Sequence, residues 1–198
     1  RGASDEKLSN QNDRVVDETS IENQNTTHTS STKTDESPTE GHLVIKENQK
    51  GISFSNLFGK HFKGAKKIII TDSYLRTFYQ IRNLMELVEL IVSLKSPEDE
   101  VVVDVITSED DMRPEQQEQY LQSIQNSIAG YGINFTWNYE TASKIHARHI
   151  VLDSNWKITL DRGLDIFQRY EMNDSFSISN RIQETRACRA FEVSFIKI

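Results

Sequence analysis

His146 and Arg148 lie two apart in the stretch KIHARHIVLDS, residues 144–154. Side chains alternate along a strand, so these two share one face with Ile150 and Leu152. Ile145, Ala147, His149, Val151 and Asp153 take the other face. An arginine beside a histidine suits phosphate chemistry. The guanidinium offers a rigid fork of donors to phosphate oxygens. The imidazole serves as nucleophile, general acid or second donor. Three readings stay open for the pair: anion recognition, catalysis, or a polar strand face tied to nearby carboxylates. His149 reads as a satisfied core histidine. Asp153 opens the turn Asp153-Ser154-Asn155, where aspartate is favoured for its own backbone hydrogen bonds.

The elements around this stretch come from hydrophobic spacing. KKIIITDS (66–73) and EVVVDVITSED (100–110) read as buried strands. Between them Leu75, Phe78, Ile81, Leu84, Met85, Val88, Ile91 and Val92 recur at threes and fours. That spacing predicts one amphipathic helix over 73–96. Pro114 starts a second helix, which Gly130 and Gly132 stop. INFTWNYE (133–140), 145–153, WKITLDR (156–162) and 188–198 alternate as strands, with 145–162 forming a hairpin. An opening strand at Leu43–Lys46, a short helix capped by Ser55 and running to Phe62, and a helix over 175–186 complete the order. Trp137, Tyr139 and Trp156 read as packing residues.

Residues 1–40 differ from the rest. Their apolar side chains are Ala3, Leu8, Val15, Val16 and Ile21, and four basic against nine acidic residues give −5. Such a stretch cannot offset the entropy of ordering, so a disordered linker or tail is expected. Residues 41–198 are long enough for one domain with a real core. Their 19 basic and 21 acidic residues give −2, unlike a general nucleic-acid binder. The single cysteine, Cys188, rules out an internal disulfide and points to a reducing, cytoplasmic setting. No apolar run is long enough to span a membrane. The chain opens on Arg1 without methionine, so a longer parent protein is expected. No P-loop, GxGxxG, GxSxG or CxxC pair is present. The two histidines of the stretch face opposite ways, so neither a metal nor a cofactor is expected.

His146-x-Arg148-x-x-x-x-Asp153 resembles the phospholipase D signature H-x-K-x-x-x-x-D, with arginine in place of lysine. That resemblance makes His146, Arg148 and Asp153 the candidate catalytic set. Two such motifs meet at one active site in that superfamily, and this chain holds one. The downstream glycine-serine pair is also missing, since Leu164 follows Gly163. A wider resemblance covers about residue 43 to the end. HARHIVLDSNWKITLDRGLDIFQRYE (146–171) and RACRAFEVSFIKI (186–198) are similar to the phospholipase D-like domain that follows the MIT domain in MIT-domain proteins. Asp161-Arg162-Gly163-Leu164-Asp165-Ile166-Phe167 is its most distinctive part.

That resemblance implies an α/β fold, a phospholipase D-like mixed sheet with helices on both faces, preceded by the disordered segment. It implies a dimer with a degenerate active site that binds membranes or phosphoinositides. We therefore expect a binding domain, not an active enzyme. His146, Arg148, Arg162, Lys157 and Arg186 would hold a phosphate-bearing ligand, either an anionic lipid headgroup or a nucleic-acid backbone. The alternative is a phosphodiesterase or nuclease whose two His146 side chains meet across the dimer. The domain also resembles the tail of Lon-related AAA+ proteins of BREX-type phage-defence systems, which would make residues 1–40 a tether to an upstream ATPase.

Overall fold

The structure is a computed structural model that describes residues 37–198 except 142 and 146. Residues 1–36, and with them the disorder expected there, lie outside the described residues. Thr39 and Glu40, placed in the linker by composition, already join the fold. His61 Nε2 donates to the Thr39 carbonyl at 3.2 Å, and the Glu40 carboxylate accepts from the Lys197 N–H at 2.9 Å.

Seven strands form one mixed sheet: β1 Gly41–Ile45, β2 Lys67–Thr71, β3 Val101–Thr107, β4 Ile133–Tyr139, β5 His149–Leu152, β6 Trp156–Leu160 and β7 Phe191–Lys197. Their spatial order is β1-β7-β6-β5-β2-β3-β4. β2, β3 and β4 run parallel, and β5, β6, β7 and β1 continue antiparallel from the other side of β2. The chain thus leaves β2 in one direction and returns beside it as β5. This is a topological switch point, where open α/β sheets place their ligands.

The helices are α1 Phe54–Phe62, α2 Phe78–Leu94, α3 Pro114–Ser127 and the short α4 Ile178–Arg181, which a 3₁₀ turn Gln183–Thr185 follows. The mixed α/β sheet agrees with the expected class, but the helices form one layer rather than two. α1 packs on α2 and α2 on α3. Burial alternates accordingly. Ile68, Ile70, Val103, Val105, Phe135, Ile150, Ile158 and Val193 lie under the helices at 1% exposure or less. On the second face Lys67, Ile69, Thr71, Val102, Asp104, Ile106, Val151, Lys157 and Thr159 are half-buried or exposed. Both crossovers, through α2 and through α3, move the same way along the sheet. Right-handed connections then put both helices on one side, a consequence of strand order that spacing alone does not reveal.

Three boundaries move for local reasons. α1 is capped by Ser53, not Ser55: Ser53 Oγ accepts the Asn56 N–H at 3.3 Å while Asn56 Oδ1 accepts the Ser53 N–H at 2.7 Å. α2 begins at Phe78, five residues after the expected start at 73, because Asp72 bonds the following backbone and turns it. The segment expected as a helix over 175–186 holds only α4 and the 3₁₀ turn. Arg186 ends that segment and is drawn inward. Among the described residues no helix is long and apolar enough to cross a membrane.

Candidate functional site

The carboxyl end of β2 delivers Asp72 into the crevice between β2 and β5. Its N–H donates to the Ile106 carbonyl at 3.0 Å, which extends the β2–β3 pairing by one residue. The side chain is 3% exposed. Oδ1 accepts the Tyr74 N–H at 2.9 Å and Oδ2 accepts the Leu164 N–H at 3.2 Å. Burial pushes its pKa above the usual aspartate value, opposed by those two N–H groups and by Arg148.

Arg148 meets this carboxylate from the entry of β5. Its Nε stands 4.0 Å from Asp72 Oδ1, Nη1 donates to the Asp161 carbonyl, and the guanidinium carbon lies 4.3 Å over the Tyr74 ring. A guanidinium carries five N–H donors. Nε faces Asp72 and one Nη1 hydrogen is used; among the described residues the Nη1/Nη2 fork has no further partner and can take a phosphate. The side chain is 25% exposed, so solvent reaches it. Tyr74 is itself exposed.

The turn at residues 161–165 completes the crevice. Gly163 has φ +60°, and a Cβ there would lie 2.0 Å from Asp72 Oδ2 and 3.0 Å from Arg148 Cδ. Leu164 buries its side chain and turns its N–H to Asp72. Asn83 donates to the Leu164 carbonyl at 3.1 Å and anchors the turn to α2. Asp165 Oδ2 lies 3.5 Å from Arg189 Nη1, while its buried Oδ1 has no hydrogen-bond partner among the described residues. Burial raises the Asp165 pKa, against the lowering fields of Arg189, Arg162, Arg148 and Arg169. Four arginines thus act on Asp165, and one of them, Arg148, also acts on Asp72. Arg162 belongs to this group, with its Nε held by the Ala190 carbonyl at 2.7 Å.

The remaining sequence candidates fall elsewhere. His146 lies outside the described residues. Asp153 sits at the opposite end of β5, where its two oxygens accept the Lys66 N–H at 3.1 and 3.2 Å. Five residues of strand separate it from Arg148 by roughly 16 Å. Lys157 pairs with Val151 on the second face of the sheet, away from the Asp72 side. His149 shares that face, and burial lowers its pKa. Arg186 is 3% exposed and fully engaged. It grips Glu86 at 2.5 and 2.9 Å, donates to the Ser179 carbonyl at 2.6 Å, and packs on Tyr170 and Phe167. Its guanidinium is enclosed by protein groups.

Asp72, Asp165 and Tyr74 were not singled out from sequence. One signal for Asp72 was present: a carboxylate placed directly after the strand run KKIIIT. Asp165 stood within the distinctive Asp161–Phe167 segment without a role assigned to it.

The mixed seven-stranded α/β sheet is consistent with a phospholipase D-like domain. The family model for the phospholipase D-like domain at the C-terminus of MIT matches residues 51–197, and the chain belongs to that family. It is 29% identical over 148 residues to mouse MIT domain-containing protein 1. The match covers 74% of this chain and 57% of that relative, so the chain spans little more than half its length.

Proposed function

We propose that this is a non-catalytic binding and assembly domain. It takes a phosphate-bearing ligand at the carboxyl edge, an anionic lipid headgroup or a nucleic-acid backbone, and works as a homodimer in the cytoplasm. The observation that carries this reading is Arg148. It is fixed by Asp72, Asp161 and Tyr74, its outer fork is left over among the described residues, and it acts on Asp165 together with Arg162, Arg169 and Arg189. A fixed fork binds phosphate with less ordering cost than a free side chain. Asp153, the third member of the phospholipase D signature, is a strand-end cap here, which favours binding over turnover.

The dimer is proposed through the second face of the sheet. Seven strands of about five residues make a surface of roughly 30 by 16 Å. Its area of about 480 Å² per copy is below the roughly 800 Å² per partner of an ordinary interface, so a dimer on this face would be a small one. The sequence resemblance makes a Lon-related AAA+ ATPase a candidate partner.

The test compares wild type with Arg148→Ala and Arg148→Lys on phosphoinositide vesicles and on DNA. Loss of about tenfold or more in Arg148→Ala, about 1.4 kcal/mol, with partial recovery in lysine, is the expected result. Equal binding by all three removes the anion-site reading. Turnover of a labelled phosphodiester that disappears in His146→Ala would replace binding by catalysis.

A further inference from the structure

Arg148 already has a counter-ion. Asp72 Oδ1 stands 4.0 Å from its Nε, and an incoming anion meets a guanidinium whose charge is partly matched. Asp72 cannot swing away to make room. Two backbone N–H groups hold it at 2.9 and 3.2 Å, and Gly163 closes behind it. The charged groups acting on it are Arg148, which attracts, and Asp165, which repels. Asp165 is in turn balanced by Arg189 at 3.5 Å. The only cheap way to free Arg148 is to remove the charge on Asp72.

We propose that Asp72 regulates the anion site: it is an internal counter-ion that competes with the ligand for Arg148, and its protonation hands the arginine to the ligand. This rests on the anion-site reading. Coupling of this kind is reciprocal, so a bound anion must also make Asp72 easier to protonate. Burial already moves Asp72 in that direction. The domain would grip its ligand more firmly in mildly acidic surroundings. Tyr74 and Leu164 donate from backbone N–H groups to different oxygens, and a neutral carboxyl keeps one of these bonds at its carbonyl oxygen and a weaker one at its hydroxyl. Protonation therefore loosens the ion pair without dismantling the turn.

The probe is diethyl phosphate, a monoanion whose charge is constant between pH 5 and pH 7.5 and which represents both lipid and nucleic-acid diesters. Binding is followed by the arginine side-chain N–H signals in nuclear magnetic resonance. Wild type should bind at least about fivefold more tightly at pH 5 than at pH 7.5, the lower end of ordinary site coupling. Asp72→Asn should bind at pH 7.5 more tightly than wild type and show a smaller pH slope. The difference between the two slopes belongs to Asp72, whatever His146 adds to both. If Asp72→Asn keeps the wild-type affinity and slope while Arg148→Ala has lost binding, the regulator is wrong and the site stands. If Arg148→Ala binds as wild type does, the site itself falls. A second measurement needs no variant: the Asp72 carboxyl carbon should titrate at higher pH with the probe bound, and an unchanged midpoint overturns the proposal.

Discussion

Gly163 and Asp72 are 91 positions apart in sequence, yet a Cβ on the glycine would lie 2.0 Å from the Asp72 carboxylate. The glycine also holds φ +60°, which side chains resist. Both constraints act at one position. We expect Gly163→Ala to cost about 2–4 kcal/mol, combining left-handed strain with overpacking. Urea unfolding measures this, and a wild-type midpoint would show that the crevice is looser than described.

The buried pair of Glu86 and Arg186 makes a second prediction. Glu86 is 8% exposed and receives two hydrogen bonds from a guanidinium that is itself enclosed. Glu86→Ala leaves a buried charge unmatched and should cost about 3–5 kcal/mol. Glu86→Leu combined with Arg186→Met should recover most of that loss. A double variant no more stable than Glu86→Ala would mean that Arg186 holds residues 178–186 through Ser179 and Tyr170 instead.

His61 gives the fold a pH dependence. It is 2% exposed, stacked on Phe195 at 4.4 Å and edge-on to Trp156 at 4.8 Å. Burial lowers its pKa from 6.5, so the unfolded chain takes the proton more readily than the folded one. Stability is then greatest above the unfolded value and falls as pH drops below about 6.5. His61→Gln should reduce that slope in melts between pH 7.5 and pH 5. An equal slope in the variant would assign it to other groups.

The second face of the sheet carries the assembly prediction. Val151→Asp puts a charge in its middle without touching the helix-covered core. Sedimentation velocity should show a wild-type dimer and a variant monomer with unchanged circular dichroism. A monomeric wild type at the highest concentration examined would remove the dimer.

Much of this architecture is legible from spacing. The stripe from Phe78 to Val92 gives α2, and the run Lys67–Thr71 gives β2, because period is a local property. The Asp161–Phe167 segment is likewise visible, as a motif. What it touches is not. Gly163 needs Asp72 as a neighbour, and only the β2–β5 pairing supplies that. The same limit misplaces Asp153 and Lys157. Five residues along a strand span its whole length, and one step reverses the face, so closeness in sequence did not become closeness in space. Arg186 was expected at the phosphate site because nothing local announces Glu86, 100 positions earlier.

The central claim is that Arg148 offers a fork to phosphate at the β2–β5 switch point. The most direct measurement follows the Arg148 Nε–H resonance of the wild-type domain while diethyl phosphate is added at pH 5. A saturable shift at Arg148, accompanied by shifts at Tyr74 and Leu164, is the predicted result. An Arg148 signal that stays fixed while other arginines move would contradict it.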